Sequence, residues 1–490
     1  MGKKQTSKSS QSQIKLKDTL SSKERNELKV LSDAILVKTL EQPSDEFQHF
    51  IELDGLIQRI RKIESGIKSP IKSNRDNETI DDFVSWCQKQ GAKFSKIQLK
   101  KIGTGSDLGL VAKVTLKKDE NFIEIPDSMI FSFSKIQEDL PTPLKQCPLF
   151  DGMSNVRLAF ALMIEKLKPN SNWKPYLDVL PDKFRTVLYF TPTDMRELQG
   201  TVALSSALKQ VKFIASQYAF LYKFLLTTQS SADCPMVDEL LISFTYDFYC
   251  WAVSCVMTRQ NLVPQGESKE LEAVLIGLWD MANHSNGTIN TCYNEVTNNI
   301  ESFCLKNFES GDQVTMAYGD RSNEDFFIHN GFVFPENTNK SYNIKLSLSK
   351  SDQLLDERTK LFTKIEVKTS GNFQVSPEFS NDLIAFVRIF NMTKDQLIYW
   401  NIADNAKDLL NSDIKLDEEL EGKVRMFLLM RAKILLRAFP TTLDDDESLL
   451  ATQLQRTKTM LVQYRVLEKK SLLEIIARIE NIIKSDNTQN

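Results

Sequence analysis

Four side chains able to do chemistry crowd into GLWDMANHSNG, residues 277–287: the indole of Trp279, the carboxylate of Asp280, the amide of Asn283 and the imidazole of His284. A carboxylate and an imidazole this close first suggest metal ligation or acid–base catalysis. A zinc site needs four converging thiolate, imidazole or carboxylate ligands, and the spacings Cys250 to Cys255 and Cys292 to Cys304 match no common pattern of that kind. No metal is expected. Of the three histidines only His284 and His329 lie in the region that carries this stretch. There is no G-x-S-x-G elbow, no H-E-x-x-H and no Walker sequence, so hydrolase and kinase chemistry lose support.

Two further segments are more polar and aromatic than a plain core would be: SCVMTRQNLVP at 254–264, with Arg259 and Asn261, and MAYGDRSNEDFFIHNGF at 316–332, with Tyr318 and Arg321. Upstream, KKIGTGSDLGLVAKVTLK places glycines at 103, 105 and 109, one residue longer than the dinucleotide fingerprint. The LVAKVTLK end of this segment alternates like a strand, where that fingerprint must open a helix. A Rossmann site is disfavoured, and a glycine turn that brings backbone close to a ligand remains.

These segments need a scaffold, and 490 residues predict two or three folded units. Lys and Arg total 62 against 65 for Asp and Glu, a net charge of -3, so no strong field argues for nucleic acid or a membrane surface as partner. The seven cysteines, at 87, 147, 234, 250, 255, 292 and 304, include no C-x-x-C pair, and no secretory signal is seen. Reduced thiols in cytosol or nucleus are the economical reading. No apolar run approaches the roughly 20 residues of a membrane span.

Residues 1–20 are polar, basic and Ser-rich, and read as a disordered tail. Gly2 and Thr6 satisfy the permissive myristoylation pattern, but a solvated tail is the simpler reading. Ser21-x-x-Glu24 is a capping-box pattern ahead of Leu28, Leu31, Ile35 and Leu36 at helical spacing. A second helix carries the stripe Phe50, Leu53, Ile57, Ile60 and Ile63, with His49 as a surface or satisfied core histidine. SGIKSPIKSNRDN, which contains Arg75, reads as a linker.

Short strand-like runs occupy 93–134 (FIEIP, MIFSF), helical patterns 150–260, and strands again 289–317 (TINTCYNEV, IESFCLKNF, QVTMAYG). After YNIKLSLS the chain reads as helical to its end. The predicted class is α+β: N-terminal helices and linker at 21–92, a β-rich domain at 93–336 with a helical insertion at about 135–268, and an all-α C-terminal domain at 337–490.

The order LWDMANHSNG, strands, AYGDRSNEDFFIHNGF resembles the paired signatures of SET-domain methyltransferases, and SDLGLVA resembles their opening glycine motif. The long helical insertion and helical C-terminal domain make the chain similar to the Rubisco large-subunit methyltransferase class. Within it, RQN at 259–261 with WDMANHSNG and YGDRSN resembles the actin-histidine N-methyltransferases. The resemblance runs from about residue 20 to the C-terminal helices, and its motifs are specific in their combined order and spacing. It implies a pseudoknotted SET core, S-adenosylmethionine as methyl donor, a C-terminal substrate-binding domain, and actin as protein substrate of a monomer placed in the cytoplasm, with the nucleus as a second location. The absence of a Cys-rich zinc segment after the core agrees with that class.

By this resemblance Arg75, Ser106, Asp107, Leu108, Arg259, Asp280, Met281, Ala282, Asn283, His284, Asn330 and Phe332 hold the cofactor. Tyr318 lines the methyl-transfer channel, and Ile276, Trp279 and Arg321 contact substrate. Asn261 can accept the N–H of one imidazole nitrogen and leave the other lone pair for attack, while Trp279 can wall the ring. The expected reaction is methylation of the tele nitrogen of a protein histidine. A protein-lysine methyltransferase of the same class is the enzymatic alternative. A silent SET-like binding module is the alternative of a different kind, and Tyr318, Asn283-His284 and Arg259 speak against it.

Overall fold

The computed structural model describes residues 20–71, 75–103, 107–231, 235–265, 270–376, 378–414 and 416–489. The expected tail up to residue 19, the Gly2 pattern, Ser106 and Cys234 lie outside them. The chain forms two compact units, one of residues 1–190, 207–320 and 329–331, the other of 191–206, 321–328 and 332–490. The division departs from the sequential boundary expected at 336.

The first unit opens with the capping box read from sequence: the Ser21 hydroxyl accepts from the Glu24 N–H and the Glu24 carboxylate accepts from Ser21, starting helix Ser22–Leu40. Helix Glu46–Glu64 comes next, with Phe50, Leu53, Ile57 and Ile60 buried. His49 is a core histidine whose Nε2 lies 2.9 Å from the Lys38 carbonyl.

Glu64, the last residue of that helix, is buried and accepts from the Tyr246 N–H at 2.8 Å and from the Tyr218 hydroxyl. Burial pushes its carboxyl up to about 8, against the pull of the Tyr218 hydroxyl. Tyr246 begins helix Tyr246–Arg259, so Glu64 satisfies one of the N–H groups left without a partner at a helix N-terminus. The N-terminal helices thereby anchor the element whose far end presents Arg259.

Among the described residues, this unit also holds three small sheets. Strands β1 (Ile97–Lys101), β2 (Leu108–Ala112), β7 (Asn283–His284) and β10 (Gln313–Met316) form one in the order β1-β2-β10-β7. Strands β3 (Asn121–Ile125), β8 (Thr291–Asn294) and β9 (Asn299–Phe303) form the second, in the order β3-β9-β8. Strands β4 (Ile130–Ser132), β5 (Asn261–Gln265) and β6 (Glu270–Ile276) form the third, in the order β4-β6-β5.

The helical insertion ends sooner than the expected 268: the chain leaves its helix at Arg259 and pairs as a strand from Asn261, opposite Val274. Pro264 in NLVPQ argues against a strand from sequence alone. It is accommodated because β5 lies at the sheet edge, where a missing N–H leaves no ladder bond unmade.

In the second unit helices Leu355–Lys364, Asn381–Asn391, Lys394–Ile402, Glu418–Arg437, Leu443–Leu450 and Arg456–Gln489 enclose a core of their own. Where an all-α domain was expected, this unit also holds a two-stranded sheet of β11 (Tyr342–Ser347) and β12 (Ser370–Ser376). In β12, SGNFQVS offers only Phe373 and Val375 as alternating apolar residues, too short a pattern to mark a strand. Pairing with β11 and burial of Tyr342, Ile344 and Leu346 beside them decide the conformation. Asp446 is buried against Arg465 and Lys469, and Arg465 also grips Glu197, which is why residues 191–206 cluster with this unit.

Candidate active site

β7 runs parallel to β10, with Asn283 opposite Thr315 and His284 opposite Met316. That register carries Tyr318, two residues past the end of β10, back over the 282–284 segment. Its hydroxyl donates to the Ala282 carbonyl at 2.6 Å and its backbone N–H donates to His284 Nδ1 at 3.2 Å. A ring nitrogen that accepts carries no proton, so His284 is held as the Nε2–H tautomer when neutral. The two rings lie 5.2 Å apart, tilted by 45°. His284 is thus a wall and an acceptor for backbone. Among the described residues no group of three His, Cys, Asp or Glu side chains could hold a metal ion.

The amide of Asn283 donates to Gln313 Oε1 at 2.7 Å and to the Leu108 carbonyl at 3.4 Å, which fixes β7 to the start of β2. Ahead of β2, the Ile102 N–H donates to the Asp107 carbonyl at 2.7 Å. Within β2, a Cβ on Gly109 would fall 2.5 Å from Ile102 Cγ1 and 3.2 Å from Asn283 Nδ2. Glycine is required here by the close approach of two neighbours. Asp107 itself is exposed, and the side chains of Leu108, Met281 and Ala282 are buried, leaving their backbones as the groups available to a ligand.

Beneath the 279–281 turn lies a buried charge network. Arg259 donates from Nη1 to the Asp280 carbonyl at 2.8 Å and sits 3.2 Å from the Asp280 carboxylate, which also accepts from the Tyr176 hydroxyl at 2.6 Å. Burial works against both charges. For Arg259 the Asp280 carboxylate overrides it, holding the guanidinium above its usual value. For Asp280 burial raises the carboxyl while Arg259 and the Tyr176 hydroxyl pull it down, and the ion pair is the state that leaves neither charge uncompensated.

Arg75, from the linker, donates from Nε to the Val179 carbonyl at 2.8 Å. Its pKa is lowered to about 10 by burial and then by the like charge of Arg259. Tyr176 and Val179 belong to one short helix, Lys174–Val179, which therefore holds both Arg75 and Asp280 in place. Neither Tyr176 nor Val179 stands out in the sequence; their partners lie 104 residues away in each case, and no local pattern announces such a contact.

The turn itself is strained. Leu278 is fully buried at φ 68° and ψ -44°, a conformation a leucine rarely adopts, and such strain concentrates at functional sites. It delivers Trp279, whose indole N–H is shared between Ser302 Oγ at 2.8 Å and Thr291 Oγ1 at 3.1 Å. Asn261, at the start of β5, donates from its amide nitrogen to the Arg259 carbonyl at 3.3 Å, leaving its oxygen as the acceptor end.

Ile276 is 1% exposed in β6 opposite Ile130, so its side chain belongs to the core, and the substrate contact expected of it could be made only through the backbone. Residues Phe326–Asn330 form a π-helical turn, a local widening frequent at functional sites. Asn330 donates to the Thr258 carbonyl at 3.4 Å, next to Arg259. The adjacent Gly331 has φ 72°, and a Cβ there would meet Arg185 backbone at 2.9 Å. Phe332 and Arg321 belong to the second unit, where Phe332 stacks on Phe326 at 4.8 Å and the Arg321 carbonyl accepts from Asn337 at 2.9 Å. The first unit thus brings together Arg75, Arg259, Asp280, Ala282, Asn283, His284, Tyr318 and Asn330 in one linked network.

Residues 349–472 match the family model described as Rubisco LSMT substrate-binding. The chain is 35% identical over 442 residues to the actin-histidine N-methyltransferase of Plecturocebus moloch, covering 88% of this chain and 73% of that one. It is 35% identical over 439 residues to that of Xenopus tropicalis, covering 88% and 74%. Among solved structures, Rubisco LSMT bound to AdoMet superimposes with a TM-score of 0.64 at 18% identity, covering 82% of this chain and 92% of that one. The SET domain of LSMT bound to lysine and AdoHcy gives a TM-score of 0.64 at 17% identity, covering 82% and 91%. At that identity the structural likeness establishes the SET fold, and the sequence identity over most of both chains establishes that this chain belongs to the actin-histidine N-methyltransferase family.

Proposed function

We propose that this protein transfers a methyl group from S-adenosylmethionine to the tele nitrogen of a histidine in actin, as a monomer of the cytoplasm that binds actin directly. The observation that carries the reading is the seam of Tyr318 on Ala282 and His284, continuous through Asp280 with Arg259, in a chain 35% identical to enzymes named for this reaction.

The residues present suit the methyl donor. Arg259 Nε and Asp280 Oδ1 are buried polar atoms with no hydrogen-bond partner in the protein, and leaving both dry and unmade is costly. A second guanidinium, Arg75, lies close enough to Arg259 to be depressed by its charge, which calls for an anion, and the forked donor set of arginine matches a carboxylate. A ligand with an amino-acid end supplies both a carboxylate and an ammonium to this set. When bound, S-adenosylmethionine supplies an electrophilic methyl on a sulfonium. A side chain on Gly109 would press on Ile102 and Asn283, so Gly109→Val is expected to displace both and weaken S-adenosylhomocysteine binding about tenfold by calorimetry, a size in keeping with small misplacements. Unchanged affinity would remove the packing of β2 on Asn283 from the cofactor wall.

What remains for the chain is orientation of the acceptor and exclusion of water. A lysine, with a pKa near 10.4, must shed a proton before attack, whereas a histidine near 6.5 is mostly neutral at pH 7 and needs only the right tautomer. Asn261 has its amide nitrogen committed to the Arg259 carbonyl, so its oxygen can accept the pros N–H and leave the tele lone pair for the methyl. Trp279 supplies a flat wall for the ring.

The test is methylation of recombinant actin, and of actin with the modified histidine changed to Ala or to Lys, read by mass spectrometry. Methyl label is expected on the parent protein and absent from the His→Ala protein. Label retained on the His→Ala protein contradicts the assignment, and efficient labelling of the His→Lys protein alone would make this a lysine enzyme.

A further inference from the structure

We infer that Ser302 and Thr291 are positioning residues that fix the Trp279 indole and, through it, the preference for a histidine acceptor; this rests on the reading of Trp279 as the acceptor wall. The indole has a single donor, and here it meets two oxygens that are themselves 2.7 Å apart. Thr291 and Ser302 stand directly opposite one another in the β8–β9 ladder, so the pair is set by strand register and cannot drift independently. Trp279 comes directly after Leu278 at φ 68°, so its backbone is fixed on the other side. With both ends held, neither side-chain torsion of the tryptophan is free to change well.

The proton count gives the pair a direction. Three N–H or O–H protons serve two oxygens: the indole proton goes to the hydroxyls, one hydroxyl proton bridges them, and one is left over. Ser302 is 0% exposed, so it gives its proton to Thr291, and the half-buried Thr291 carries the remaining O–H outward. Each bond in such a chain polarises the next. The indole is therefore held by a directed chain with no unmade donor inside it.

Acceptor preference is then a matter of rigidity. A planar imidazole needs its wall at one distance and one tilt, whereas a lysine side chain can follow a displaced wall by changing rotamers. Loosening the indole therefore costs a histidine substrate more than a lysine substrate. A hydroxyl pair that only stabilised the fold would lower the melting temperature and leave the acceptor ratio alone.

The experiment compares peptides of one sequence carrying His or Lys at the acceptor position, using the full chain, mass spectrometry for product and calorimetry with S-adenosylhomocysteine. For Ser302→Ala combined with Thr291→Val, kcat/KM on the His peptide is expected to fall about tenfold or more. The Lys-to-His ratio is expected to rise about tenfold, with cofactor affinity within about twofold of the parent. Trp279→Phe, which keeps a ring and removes the N–H, is expected to shift the ratio in the same direction, while Thr291→Ser and Ser302→Thr keep the parent ratio. An unchanged ratio in the double variant overturns the inference. Should that variant not fold, Thr291→Val alone, at the half-buried position, must shift the ratio about threefold, and no shift overturns it equally. Trp279→Ala separates the two layers. If it leaves rate and ratio untouched, the wall reading itself fails; if it changes them while the hydroxyl variants do not, only the clamp fails.

Discussion

A Tyr318→Phe protein is expected to bind S-adenosylhomocysteine within about twofold of the parent and to turn over about a hundredfold more slowly, the scale on which small losses of alignment act in a templated transfer. The phenylalanine keeps the ring against His284 and the backbone N–H on His284 Nδ1, so the wall survives. What disappears is the hydroxyl that donates to the Ala282 carbonyl at 2.6 Å. That bond fixes the carbonyl in the middle of the 280–284 segment, and a hydroxyl that donates to a carbonyl keeps its lone pairs for weak C–H donors such as a sulfonium methyl. Both effects act on alignment at the transferred methyl and neither on the buried ion pair. Single-turnover rates beside calorimetry separate them: parental turnover with a large loss of cofactor affinity would show that Tyr318 serves the cofactor and not the transfer.

The parts of the fold legible in the sequence are those written in local pattern. The Ser21–Glu24 capping box, the stripe from Phe50 to Ile60 and the strands at 291–294, 299–303 and 313–316 all use neighbours a few residues away. Strand β12 and the early end of the helical insertion at Asn261 were hidden because partner strands and edge position decide them, and those are long-range facts.

The site divides the same way. Arg259, Asp280, Asn283, His284 and Tyr318 stand out as polar and aromatic residues in compact motifs, and the structure links them. Tyr176, Thr291 and Ser302 look like ordinary helix and strand residues, because what distinguishes them is the partner across the fold. Even the role of the opening segment changes with this knowledge: Asp280 and His284 suggest a metal from spacing, yet one is tied up by Arg259 and Tyr176 and the other by Tyr318.

Arg259→Ala is expected to be the most damaging single change, in two measurable ways. Its side chain is 14% exposed and that of Asp280 is 1% exposed, so removing the guanidinium leaves a carboxylate in the interior with the Tyr176 hydroxyl as its hydrogen-bond donor and the Arg75 charge nearby, but without its ion-pair partner. Breaking one partner of a buried pair costs about 3–5 kcal/mol, which denaturant unfolding of the ligand-free chain would register. Cofactor affinity should fall at the same time, by about a hundredfold, since a charged donor to a carboxylate is worth about 1.5–3 kcal/mol and here the site also loses its main compensating charge. The two losses are separable. Arg259→Met combined with Asp280→Asn removes both charges and leaves the Tyr176 hydroxyl an acceptor, so stability should return to within about 2 kcal/mol of the parent, as paired removal of buried charges generally permits. Affinity should not return. If the double variant recovers both, the pair acts on the cofactor only by keeping the 279–281 turn in place; if it recovers stability alone, the charges of the Arg259–Asp280 pair themselves hold the ligand.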